Sequence, residues 1–151
     1  MPDDEYREDV RACERIRKEN AKLLEDFRQW LSEKGLAKKT IRRHVDNIEF
    51  YLDGFLLYED AISAKQGASH VSMFLGYWFI RKSAWAGPNA IRENAASLKK
   101  FYAFMHEQGH VDAGDLQELK ETIKAEMPEW LGTLERYDDP EITDSEEIWG
   151  F

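Results

Sequence analysis

LAKKTIRRHVDNIEFYLDGFLL, residues 36–57, sets Ile41, Val45, Ile48, Leu52 and Phe55 at spacings of four, three, four and three. Side chains at those spacings share one face of a helix, so the stretch predicts an amphipathic helix whose apolar row enters a core. About half a turn from that row stand Lys39, Arg43 and Asp46, with Lys38 and Arg42 on the flank and His44 beside them. A second stretch, Pro88 to about Glu107, repeats the pattern with Ile91, Ala95, Leu98, Tyr102 and Met105. Its flank carries Arg92, Lys99 and His106, with Ala96 and Ala103 between them, small enough to let another surface approach. Two apolar faces with basic backs are what the rest of the chain must support.

The apolar pattern continues on both sides. Leu23, Leu24, Phe27, Trp30 and Leu31 predict a helix stopped by Gly35 in the left-handed cap position. No polar N-cap precedes the 36–57 helix, because Ala37 stands there, so its start is expected at Thr40 or from tertiary contact. Ser69 is read as the N-cap of a third helix, in which Val71, Phe74, Leu75, Trp78 and Phe79 are apolar nearly all round. Gly76 within it costs roughly 1 kcal/mol against alanine, which predicts close packing there. Pro88 suits the first position of the fourth helix, and Gly109 its end. Asp115 with Glu118 reads as a capping box for a fifth helix, and Pro128 as the opening of a short sixth. No segment alternates at period two.

The expected fold is therefore all-α, a compact bundle of four to five main helices. Its parts are a charged N-terminal helix or arm over 1–19, a helical core over 20–112, a C-terminal extension of short helices over 113–136, and an acidic tail over 137–151 without helical periodicity. The tail closes on Ile148, Trp149, Gly150 and Phe151, apolar and out of character with the acidic run before them.

Charge is unevenly distributed. The chain has 151 residues and a net charge of −9, but residues 1–33 carry −3, residues 34–106 carry +5 and residues 107–151 carry −11. A basic middle between acidic ends bears on partners more than the total does. The lone cysteine, Cys13, allows no internal disulfide and no cysteine-based zinc site, which fits a reducing, cytoplasmic setting. No run of about 18 apolar residues is present, so no membrane span is expected.

Catalytic constellations are sparse. His106-Glu107-Gln108-Gly109-His110 matches H-E-x-x-H, in which two histidines one helical turn apart hold zinc and the glutamate acts on metal-bound water. Gly109 should end the helix before His110, and the longer zinc-protease pattern would need glycine at 113 and histidine at 116, where Ala113 and Leu116 stand. A solvent-facing helix end is expected, with no metal and no cofactor. No serine sits in a G-x-S-x-G setting and no Gly-rich phosphate loop occurs. Trp78, Phe79, Trp85, Phe101, Tyr102 and Phe104 are expected in the core rather than in a base-stacking platform, with Trp85, in a loop, the least easily placed.

The basic residues remain. Lys38, Lys39, Arg42 and Arg43 on the second helix, Arg92, Lys99 and Lys100 on the fourth, and Arg81 and Lys82 at the end of the third would bind phosphates if the helices pack side by side. The alternative is a merely solvated face.

LLEDFRQWLSEKGLAKKTIRRHVDNIEFYLDGFL, with its short glycine turn and K-K-T leading into a long helix, resembles the opening of the N-terminal core-binding, or SAM-like, domain of tyrosine recombinases and phage integrases. NAIRENAASLKKFYAFMHEQGHVDAG is similar to that family's last main core helix, so the resemblance covers about residues 20–112. It implies a helical bundle whose second and fourth helices approach duplex DNA, with Lys38, Lys39, Arg42, Arg43, Arg92, Lys99 and Lys100 as the DNA-binding candidates. In the family a separate domain carries an arginine, histidine and tyrosine constellation; none of the four histidines here has arginine three residues later. A non-catalytic DNA-binding module is therefore expected, with a recombinase or other protein as a further partner through the acidic tail. The rival expectation is a protein-interaction or regulatory helical domain that does not touch DNA.

Overall fold

A computed structural model of the chain describes the backbone of residues 2–58, 60–83 and 87–138, and the described residues are all-helical. Helix α1 (Pro2–Glu33) joins the N-terminal charged stretch and the first apolar helix into one run of 32 residues, about 48 Å long. Its packing changes along its length. Before Asn20 the described side chains are exposed or half-buried; from there Leu24, Phe27 and Leu31 enter the core.

Gly35 ends α1 as read from the sequence. Its φ is +85°, the Gly35 N–H bonds to the Ser32 carbonyl at 3.0 Å, and the Leu36 N–H bonds back to Leu31 at 3.3 Å. That pair of bonds satisfies two of the last carbonyls and places Leu36 against the core. Helix α2 (Lys38–Glu49) follows at once, with Ala37 as a cap that offers no side-chain bond. Its start is two residues before Thr40, and the Ile41 N–H closing on the Ala37 carbonyl at 2.9 Å is its first bond.

Residues Phe50–Phe55 continue α2 as a π-helical segment, in which Leu56 N–H reaches the Tyr51 carbonyl at 3.0 Å. The wider turn lets Tyr51, Leu52 and Leu56 all face inward after Ile48. A short 3₁₀ turn, Gln66–Ser69, then leads into helix α3 (Val71–Met73), a second π segment (Phe74–Trp78) and helix α4 (Phe79–Ser83). Ser69 is not the cap expected of it: it lies in the 3₁₀ turn and gives its hydroxyl to the Gln66 carbonyl at 3.2 Å, while His70 occupies the cap. The connection is tied down by two buried tyrosines. Tyr51 donates to the Gly67 carbonyl and Tyr102 to the Ala64 carbonyl at 2.7 Å, and burial raises the pKa of both phenols, so both stay donors.

Helix α5 (Pro88–Glu107) begins with proline at its first turn and is closed by the turn at Gly109, φ +79°, where His110 N–H bonds to the Met105 carbonyl at 2.8 Å. Helix α6 (Ala113–Asp138) corrects two readings. Its cap is Asp112, whose carboxylate accepts the Asp115 N–H at 2.7 Å, so Asp115 already lies inside the helix. The fifth and sixth helices are one, running through Pro128. An internal proline removes a helix bond and strains the preceding turn. Packing on both sides of it holds the helix together: Leu119 and Ile123 before it and Trp130 and Leu134 after it are buried.

One core unites these elements, built on Phe27, Ile48, Leu52, Phe74, Leu75, Phe101 and Met105. Of the aromatics expected in the core, Phe79, Phe101, Tyr102 and Phe104 are buried within it, while Trp78 is half-buried and packs against its edge. Among the described residues no helix is long and apolar enough to cross a membrane.

Candidate nucleic-acid interface

Helices α2 and α5 pack against each other, and the contact is polar at its centre. Ser97 Oγ donates to the Glu93 carbonyl one turn back at 3.0 Å and accepts from Asn47 Nδ2 at 3.0 Å. His44 Nδ1 lies 2.7 Å from the same oxygen. One hydroxyl thus links the His44 ring, Asn47 and the Glu93 carbonyl at the centre of the helix contact. His44 and Ser97 are both buried. The sequence set His44 beside the basic residues on the outer surface; the structure turns it into the helix contact, because only α5 could have supplied its partner.

Burial is the main cause lowering the His44 pKa, followed by the charges of Lys100 and Arg43, with Glu93 opposing them. A depressed folded-state pKa means that the unfolded chain binds the proton more readily. Stability contributed by neutral His44 is then complete above the ordinary histidine pKa of about 6.5 and falls as pH drops below it. Urea midpoints of the wild-type chain and His44→Gln across pH 8 to 5 check this: the wild type should lose more stability over that window than the variant.

Around this contact the seven candidate residues fall into two groups. Lys38, Lys39 and Arg42 line an open groove of about 760 Å³ between α1 and α2, together with Arg28, Gln29, Ser32, Ile41 and Asp46. Arg43 faces α5 instead, where its guanidinium is 3.8 Å from the half-exposed Glu93 carboxylate. On α5, Lys100 is half-buried beside His44, while Arg92 and Lys99 are exposed. Arg92 Nη1 donates to Asn89 Oδ1 at 3.3 Å. Among the described residues, Arg43 is the only one of the seven with a carboxylate within 4 Å.

These positions make up an α2–α5 band of basic residues in two parts, one along the α1–α2 groove beside Asp46 and one on α5, with the Arg43–Glu93 pair between the helices. Arg28 joins it without having been read from the sequence; no local pattern marks it, since its place depends on how α1 lies against α2. Its charge is shared with Glu25 at 3.8 Å. Arg81 is elsewhere, on α4, donating to the Tyr77 hydroxyl at 2.7 Å, and the Lys82 side chain and Trp85 lie outside the described residues.

The H-E-x-x-H stretch does not form a histidine pair on one helix. The helix ends at Glu107, His106 Nδ1 bonds to the Val111 carbonyl at 3.1 Å, and His110 lies past the Gly109 turn. Glu107 accepts the Trp30 indole N–H at 3.0 Å, which ties the end of α5 to α1. No group of three metal-ligating side chains occurs among the described residues.

Searches against family models, curated proteins and solved structures return no match to this chain.

Proposed function

We propose that the chain is a non-catalytic DNA-binding module of the kind found in the core-binding domains of tyrosine recombinases, which contacts the duplex backbone through the outer sides of α2 and α5. One observation carries this reading. Two adjacent helices present Lys38, Lys39, Arg42, Arg92, Lys99 and Lys100 with no carboxylate within 4 Å among the described residues, in a protein whose net charge is −9. Cations without a carboxylate partner amid an excess of acid are suited to phosphates, which they neutralise while releasing counterions. A rigid α2–α5 contact fixes their spacing, as register on a backbone requires.

Fluorescence anisotropy of a labelled duplex against the full chain tests the proposal. Binding in the micromolar range that weakens steeply as salt rises is expected; no binding at tens of micromolar protein at low salt contradicts it, since non-specific DNA affinities lie at roughly 10⁻⁴ to 10⁻⁶ M. Residues 138–151 carry six carboxylates and no basic side chain, and their field opposes a polyanion. A chain ending at Tyr137 should bind the same duplex more tightly, and an unchanged affinity would remove the tail from the account.

A second reading is favoured by Glu93 and Asp46, which lie within the band. A protein-interaction module that uses mixed charge to select a protein partner would keep such acids, whereas a phosphate-binding surface has no use for them.

A further inference from the structure

Among the described residues, Tyr6, Val10, Phe50, Tyr58, Met73 and Tyr77 are the exposed large apolar side chains, and the last four gather around Trp78. Phe50 and Tyr58 have ring centroids 5.3 and 6.2 Å from that of Trp78, and Met73 and Tyr77 line the same groove. The groove encloses about 270 Å³, floored by Phe55, Leu56, Ile62 and Trp78 and edged by His70 and Asp60. Met73 is 57% exposed, an unusual position for a flexible apolar side chain that adapts well to varied partners. Both π segments, Phe50–Phe55 and Phe74–Trp78, converge here, with Phe55 and Trp78 rings 5.4 Å apart. Such turns sacrifice regular helix bonding and recur at functional sites. Nothing in the α2–α5 band uses this face.

We propose that the groove receives this chain's own Ile148-Trp149-Gly150-Phe151. Chemistry, reach and charge each support that occupant. The segment is an apolar and aromatic island that follows an acidic run, and an aromatic groove of this size takes a few such side chains. Helix α6 lies along the α3–α4 run, with Trp130 against Gly76, and ends at Asp138, about 12 Å farther on. From Asp138 to Ile148 the chain can span up to about 35 Å, ample to return to Met73. Arg81, its guanidinium 5.5 Å from the Tyr77 ring centre, stands at the rim where Glu146 and Glu147 would arrive.

Methyl NMR of the full chain tests this, because Met73 is the methionine in the groove while Met105 is buried in the core and Met127 packs beside it. Comparison of the wild-type chain with Trp149→Ser should move the Met73 methyl resonance, which loses the ring current of the docked indole, and leave those of Met105 and Met127 in place. The difference should be the same at every protein concentration. Identical Met73 resonances in the two chains would overturn the proposal. So would a difference that grows with protein concentration, which assigns the groove to a second copy.

Discussion

Replacing Lys39, Arg42 and Lys99 together by alanine should weaken duplex binding by about tenfold or more, or about 1.4 kcal/mol, and leave folding intact. All three are exposed, and none has a carboxylate within 4 Å among the described residues, so no buried group loses a partner. The sharper signature is the salt dependence. Each phosphate neutralised contributes about 0.9 to the slope of log affinity against log salt, so losing three contacts should lower the slope by about 2.7. A triple variant that weakens binding with an unchanged slope would place the loss in shape or packing instead. Arg43 is left out because its removal would free Glu93 and confound the reading.

The largest effect on stability is expected at Gly76. A Cβ there would lie 2.6 Å from Trp130 Nε1 and 2.8 Å from Trp130 Cδ1. Trp130 is 3% exposed and cannot swing away without opening the contact between α6 and the α3–α4 run. Replacing a helical glycine gains up to about 1 kcal/mol in propensity, but overpacking a filled site costs about 1–3 kcal/mol and a β-branched side chain adds to it. Gly76→Val should therefore destabilise the fold by about 2 kcal/mol and lower Tm by about 4–8 °C. Gly132, also helical, is a control. Among the described residues its added Cβ would meet only Arg136 Nη1, at 3.9 Å, so Gly132→Ala should stabilise by up to about 1 kcal/mol. Thermal melts of the two variants should shift in opposite directions; a Gly76→Val chain as stable as wild type would mean that α6 does not seat on Gly76.

That contact shows what could be read from the sequence and what could not. Gly76 in an otherwise apolar helix signalled a close approach, yet nothing named Trp130, more than fifty residues away, as the side chain that fills the space. Gly35 and Gly109 marked their helix ends correctly because a left-handed cap is decided by the glycine and the turn before it. The apolar rows Ile41, Val45, Ile48 and Ile91, Ala95, Leu98 were legible for the same local reason.

Where local signals competed, tertiary packing prevailed. Pro128 suits a helix start, but burial of Trp130 and Leu134 carries α6 through it. Asp115 and Glu118 had the spacing of a capping box, while Asp112 three residues earlier took the role. The π segments escaped a reading based on spacings of three and four, since a wider turn leaves the same residues inward-facing. Of the candidate interface, the seven basic positions came from charge and periodicity. Their division into a groove-lining group on α2 and an outer group on α5 depends on the His44–Ser97 contact, which no pattern within either helix discloses.

The most direct measurement is amide NMR of the full chain titrated with a short duplex. Resonances of residues 38–46 and 92–100 should move together and saturate together, with those of α6 unmoved. Shifts confined to the groove around Trp78, or no shifts at duplex concentrations well above micromolar, would contradict the assignment of α2 and α5 as a DNA-binding surface.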